Sequence, residues 1–377
     1  MRIVMLGTRG VPARYGGFET AIEEVGSRLA ERGHQVTVYC RQPPGEPEPA
    51  HHRGMRLVNL PALKRRSLET LSHTALSVVT RSVGSADAAL VFNAANAPLL
   101  PVLRSRRVPV ATHVDGLEWK RAKWGGTGRR YYRLAEQLAV RWSDALIADA
   151  QGIADYYRTE FGAPTHLIAY GAPVLRDVGS DRVAELGLVP GQYHLVVARF
   201  EPENHVLEIV RGYVGSRATH PLVVVGSAPY SDEYTAAIRA AADDRVRLLG
   251  AVWDQHQLDQ LYANALSYLH GHSVGGTNPS LLRAAGVGAH VIAFDVAFNR
   301  EVLEDRGRYF SHPDDVARAI QATEDDPEAA RSDGLAVQDR IGRYSWDDVA
   351  LRYERLCHDL AAGNLAGPRP TGRRRQG

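Results

Sequence analysis

Cysteine is scarce: Cys40 and Cys357 are the only two in 377 residues. Neither stands in a CxxC pair or beside a histidine cluster, which excludes a disulfide framework and a cysteine-type structural zinc, and a reducing cytoplasm is the expected compartment. Long apolar runs are lacking as well. The opening MRIVMLGTRG is too short for a signal-peptide core and is interrupted by Arg9. The most apolar long window, Ala88–Leu103, carries two Asn and two Pro and fails as a membrane span. A soluble or peripheral protein is expected.

Net charge is also small, +2, but unevenly placed. Residues 1–172 hold 23 Lys/Arg against 15 Asp/Glu, a net +8, whereas residues 173–362 hold 18 against 28, a net −10; the last 15 residues add four Arg. The first half therefore favours anionic partners, unless its arginines simply decorate solvated helix faces.

What is abundant is alternation. With 44% apolar and 23% charged residues the chain can bury two cores. Short β-rich runs alternate with helical patterns, which implies parallel sheets flanked by helices. The first-half strands read Arg2–Leu6, Gln35–Cys40, Met55–Leu60, Ala88–Phe92, Val108–His113 and Ala145–Asp149. Between the first two, Phe18, Ala21, Ile22, Val25 and Leu29 fall on one helical face. After Gly171-Ala172-Pro173 the alternation restarts with Tyr193–Ala198, Pro221–Gly226, Arg245–Leu249, Ala265–Leu269 and His290–Phe294. The expected architecture is α/β, two Rossmann-like domains with parallel sheets facing across a cleft. The expected divisions are 1–172, 173–345, a C-terminal crossover helix 346–362 packing back toward the N-domain, and a disordered basic tail 363–377.

Four stretches point to chemistry. The glycine-rich loop GHSVGGTNP, between a strand and a helix from about Pro279, would aim the amides of Gly275, Gly276 and Thr277 at one anion. The loop GTRGVPARYGGFET follows the first strand but lacks GxGxxG spacing. Its Gly16-Gly17 turn suits a diphosphate or an acceptor phosphate better than a dinucleotide, and only Arg41 after the second strand keeps an NADP reading open. VPVATHVDG ends a strand in His113 and Asp115, either of which could orient or deprotonate a hydroxyl, with Asp115 as a turn cap the plainer alternative. Arg199, directly after the first strand of the second half, would offer a fork of donors to a leaving diphosphate unless Glu201 or Glu203 pairs with it. The His270-x-His272 pair has no third ligand assigned and reads as a strand-end feature. The Trp119–Trp124 segment, with Glu118, Lys120, Arg121 and Lys123, suits a membrane interface or a sugar platform. It has no nucleic-acid-binding motif.

Together these stretches resemble retaining glycosyltransferases of family 4, of GT-B fold. MRIVMLGTRGVPARYGGFET, HVDGLEWKRAKW, VARFEPENH, HSVGGTNPSLL and FNREVL are similar to the subgroup of rhamnosyltransferases of capsular and cell-wall polysaccharide synthesis. The resemblance implies a hexosyltransferase-type enzyme. It would move a sugar such as L-rhamnose from a nucleoside-diphosphate sugar to a hydroxyl of a glycan or polyprenyl-diphosphate-glycan acceptor, without cofactor or metal. It also implies a cytoplasmic protein, peripheral at the inner face of the plasma membrane, whose basic N-domain meets anionic lipid. Asp115 and His113 would then sit at the acceptor hydroxyl, and Arg199 would stabilise the departing diphosphate. Gly16, Gly17, Gly275, Gly276, Thr277, Asn278, Arg283 and Glu301 would line the donor. No protein nucleophile is required.

Two positions depart from the wider family. Glu203-Asn204-His205 stands where a lysine is usual, and Gly275 and Arg283 stand at two glutamate positions. Arg283 would then grip phosphate, with the ribose left to Glu301 or backbone. Alternatively it lies on a helix surface of a sugar-nucleotide-binding scaffold without turnover.

Overall fold

The structure is a computed structural model describing residues 1–13, 16–42, 49–63, 69–114, 116–121, 124–227 and 232–365. Asp115, Lys123 and tail residues 366–377 lie outside the described residues. The chain forms two compact units, Met1–Gly171 with Trp346–Gly377, and Ala172–Ser345. Among the described residues no helix is long and apolar enough to cross a membrane.

The first unit is built on strands β1 (Arg2–Leu6), β2 (Gln35–Arg41), β3 (His51–His52), β4 (Met55–Leu60), β5 (Ala88–Phe92), β6 (Val110–His113), β7 (Ala145–Ala148) and β8 (His166–Leu167). They run in the order β3-β4-β2-β1-β5-β6-β7-β8, and all pairs are parallel except β3 with β4. Helices cover both faces of such a sheet, so its central strands are apolar continuously rather than alternately, and all five residues of β5 are buried.

Helix Gly17–Glu31 buries Ala21, Ile22, Val25 and Leu29, as its spacing predicts. Phe18 departs from that face, being half-buried with its ring 5.0 Å from that of His113. The C-terminal helix Trp346–Ala362 returns to this unit and packs on Gly17–Glu31. It buries Trp346, Val349, Ala350, Tyr353, Leu356, Cys357 and Leu360, one stripe in which each large side chain contributes roughly 1.5–3 kcal/mol. A side chain at Gly171 would approach the Trp346 ring to 2.3 Å, so this glycine is required where the helix begins.

The second unit holds β9 (His194–Val197), β10 (Leu222–Val225), β11 (Val246–Gly250), β12 (Ser267–His270), β13 (Val291–Phe294) and β14 (Arg308–Phe310). The order is β11-β10-β9-β12-β13-β14, all parallel. Several strand ends fall one or two residues from the positions expected of the sequence, the usual uncertainty of frayed termini. The short β3, β8 and β14 were not foreseen, because two or three residues carry no period.

Each sheet has one point at which the chain reverses its direction of winding. In the first unit β1 is followed outward by β2 and β4, and β5 then lands on its other side; in the second, β9 is followed by β10 and β11 before β12 returns beside it. Loops leaving the carboxyl ends of the two flanking strands part there, which is where open α/β sheets bind ligands.

Candidate active site

In the second unit the reversal brings the loop after β9 against the loop after β12. Arg199 is exposed at the end of β9, and its carbonyl accepts from Asn204 Nδ2 at 2.8 Å. The other side of Asn204 is 2.8 Å from His272 Nδ1, while His205 Nδ1 is 2.8 Å from the Gly271 carbonyl. Ser273 donates from both its amide and its hydroxyl to the Glu203 carbonyl, each at 3.0 Å. Asn299 donates to the carbonyls of His272 and Phe294, at 3.0 and 2.9 Å, and the His205 ring stacks 4.0 Å from Phe294. The two loops are thereby fixed to each other and to β13. A side chain at Gly271 would meet the Asn204 carbonyl at 2.1 Å, so glycine is needed for this close approach.

Beyond this brace the chain turns through Gly275, at φ +125°, to the start of helix Pro279–Gly286. The amides of Gly275 and Gly276 are taken up by no other group among the described residues. Thr277 is buried. Asn278 is used locally: its Oδ1 accepts from the Ser280 amide at 2.9 Å and from the Ser280 hydroxyl at 2.7 Å, capping the helix. The structure thus places Arg199 and the Gly275-Gly276-Thr277 turn after neighbouring strands, β9 and β12, at the same end of one sheet, the turn leading into a helix N-terminus.

Arg283 meets a carboxylate that neither expectation included. It lies in helix Pro279–Gly286 and forms an ion pair with Asp259 of helix Gln255–Ala263; both side chains are largely covered, 24% and 15% exposed. Its charge is therefore already met by a carboxylate that no spacing in the sequence indicates. Glu301 is half-buried in helix Ala297–Leu303, and its carbonyl accepts from Arg343 Nη2 at 2.9 Å. His270 is buried with Nδ1 3.0 Å from the Tyr268 hydroxyl, and burial pushes its imidazole down to about 3. It serves the strand end, as the plainer reading of the His-x-His pair has it.

In the first unit His113 closes β6 and is 1% exposed. Its Nδ1 is 3.2 Å from the hydroxyl of Tyr353 on the C-terminal helix, and Nε2 has no partner among the described residues. Phe18, Phe92 and Tyr170 surround the ring at 5.0, 5.5 and 5.9 Å. Desolvation pushes the imidazole down to about 3, so it is neutral at physiological pH and too weak a base to deprotonate a hydroxyl. Of its two expected roles, orientation is the one its surroundings allow.

The Gly16-Gly17 turn begins its helix as foreseen, Gly16 being the extended N-cap without a side-chain cap. The positive end of that helix is not vacant of charge, however. Glu19, buried in the first turn, accepts from the Arg9 amide at 3.1 Å, and Glu23 accepts from the Ala13 amide. A carboxylate thus already lies at the positive end of this helix dipole.

One further expectation changes. Arg41 is committed to Glu69 at 3.1 Å and Thr70 at 2.6 Å, which removes the group that carried an NADP reading. Around Trp119 and Trp124, Glu118 pairs with Arg121 and accepts from Trp124 Nε1, while the Arg133 guanidinium sits 4.3 Å over the Trp119 ring. Both indoles are thus engaged by neighbouring side chains while remaining partly exposed.

Residues 16–171 match the glycosyl transferase 4-like domain, and residues 192–326 match the glycosyl transferases group 1. No curated protein matches the chain in sequence. Solved structures that resemble it include a sucrose-phosphate synthase from Thermosynechococcus elongatus (19% identity, TM-score 0.81, covering 96% of this chain and 99% of that one). HepE from Anabaena in complex with UDP and glucose matches at 17% identity and TM-score 0.74, over 96% and 100% of the two chains. A trehalose-6-phosphate structure from E. coli bound with UDP-2-fluoro glucose matches at 13% and 0.69, over 96% and 99%. At such identities the likeness is one of fold, and it spans both units. Two glycosyltransferase domains, each on its own parallel sheet, make this chain a glycosyltransferase of the GT-B fold class.

Proposed function

We propose that the protein transfers a hexosyl-type sugar from a nucleoside-diphosphate sugar to a hydroxyl of a glycan, with retention of configuration and without a catalytic metal. The observation that supports this reading is that Arg199 and the amides of Gly275 and Gly276, which no other group among the described residues takes up, follow neighbouring strands at the switch point between β9 and β12. A departing diphosphate needs fixed positive charge where its own negative charge develops, and a braced loop supplies it without reorganisation. The nucleotide and sugar ligands held by HepE agree with a donor of this class. In the first unit, the buried, neutral His113 imidazole would reach the acceptor hydroxyl through Nε2 only once the cover over that atom has moved. Asp115, two residues on, would be the carboxylate to receive the hydroxyl proton.

The finer reading, supported by the motifs shared with rhamnosyltransferases, is an L-rhamnose donor and a polyprenyl-diphosphate-linked acceptor at the cytoplasmic face of the membrane, in capsule or cell-wall synthesis. Helix Gly126–Trp142 suits such a surface. Arg129, Arg130, Arg133 and Arg141 are exposed on it together with Leu134, matching a face that is cationic with an apolar contact.

The test is turnover. Purified protein, supplied with a panel of nucleoside-diphosphate sugars and lipid-linked or free glycan acceptors, releases nucleoside diphosphate with one donor and forms a product of retained anomeric configuration. Donor binding without release under any acceptor would instead support the non-catalytic scaffold reading. Binding to anionic vesicles that is unchanged at high salt would remove the membrane part alone.

A further inference from the structure

Away from the sites above, the C-terminal helix meets the start of β2 through three groups of metal-ligating chemistry. Glu354 and His358 are four residues apart on Trp346–Ala362 and so share a face of that helix, and His34 precedes β2. One ligand atom from each of the three lies within 4.8 Å of the other two. His34 Nε2 is 2.7 Å from Glu354 Oε1, and the His34 and His358 rings are 5.8 Å apart.

We propose that His34, Glu354 and His358 bind a borderline divalent cation, zinc being the best match. Two imidazoles and one carboxylate are a common zinc donor set, and a tetrahedral ion at about 2.0–2.1 Å from each ligand needs donor atoms about 3.3 Å apart. Side-chain adjustments of an ångström or so bring the three to that spacing, because His358 is exposed and only His34 and Glu354 are partly covered. His34 Nδ1 accepts from the Met1 ammonium over a long contact, 3.4 Å, which has to open when a cation on Nε2 moves the ring proton to Nδ1. His358, the exposed member of the three, also lines a cavity of about 460 Å³ with Asp87, Arg107 and Pro109.

The ion would clamp the C-terminal helix to the first unit. Its competitor is visible in the same cluster, since Arg32 Nη1 is 3.2 Å from the second oxygen of Glu354. A guanidinium sharing the carboxylate lowers affinity for a dication, so Arg32→Gln should tighten binding. The role is structural and separate from the proposed transfer chemistry.

The experiment uses the full chain, purified without a histidine tag, stripped with chelator and titrated with Zn²⁺ by calorimetry and with Co²⁺ by visible absorption. One ion per chain and a rise in unfolding temperature are expected. His34→Gln and His358→Gln should each weaken binding at least about tenfold, while His256→Gln, an exposed histidine of the second unit, leaves it unchanged. The absence of a stoichiometric ion, or equal binding by both site variants, overturns the proposal and leaves a His–Glu–Arg ionic cluster. Should a site variant fold poorly, the Co²⁺ spectrum of the unaltered protein decides: tetrahedral bands support the site and octahedral bands exclude it.

Discussion

The Tyr353 hydroxyl lies 3.2 Å from His113 Nδ1, linking the C-terminal helix to the carboxyl end of β6 across 240 residues of sequence. Both residues are buried, and burial raises the tyrosine as it lowers the histidine, so the contact joins two neutral groups. By holding Nδ1, Tyr353 determines which way Nε2 faces. Tyr353→Phe keeps the packing and removes the hydroxyl. It should cost about 1–3 kcal/mol, measured by denaturant unfolding, and should lower turnover as His113 loses its orientation.

Arg199→Ala tests the charge at the proposed leaving group. Arg199 is exposed and its carbonyl accepts from Asn204, a bond that the substitution leaves in place, and unfolding of the variant is measured alongside its kinetics. A fall in kcat of about 10²–10³ with little change in the donor KM is expected if its positive charge acts on the transition state. Steady-state kinetics with the donor identified by the panel would show this, and an unchanged kcat would remove Arg199 from the chemistry.

Arg283 and Asp259 should behave as a coupled pair. Each side chain is mostly covered, so removing either leaves the other's charge poorly solvated, whereas removing both does not. Arg283→Met and Asp259→Leu, alone and combined, should show a coupling energy of about 0.5–3 kcal/mol in unfolding experiments. Donor affinity in the same three variants separates a structural pair from one that also contacts the nucleotide.

Stability should fall as pH drops below the ordinary histidine range. Burial holds His113 and His270 near about 3, and His73 and His290 near about 4, all well under the unfolded value. Between those values and the unfolded histidine value of about 6.5 the unfolded chain binds more protons, so their stabilising contribution is complete above about 6.5 and is lost on descending through the window. Unfolding temperatures measured from pH 7.5 to 4 should decline in this sense. His270→Asn should shallow the slope, and an unchanged slope in that variant would deny its burial.

The placement of the proposed donor loop was legible because its signals are local. A glycine able to take φ +125° at Gly275, an asparagine cap at Asn278 and Pro279 at the first helical position spell a loop-to-helix turn in five residues. The strands β1, β4 and β5 were likewise read to the residue from their apolar runs. Asp259 was not legible as the partner of Arg283, since the two meet only when separate helices pack. Nor did the pattern around Gly16 and Gly17 reveal that Glu19 turns back onto the Arg9 amide at the head of its own helix.

The sequence by itself determined the two parallel-sheet units, the returning C-terminal helix and the glycine-rich turns, because periodicity, helix caps and left-handed backbone are properties of neighbouring residues. Tertiary structure alone decided which charges are neutralised and which histidines are stripped of water. It paired Arg283 with Asp259, committed Arg41 to Glu69, and buried His113 against Tyr353. Electrostatic character depends on what surrounds a group in space, and chain segments hundreds of residues apart supply those surroundings only when the fold is complete.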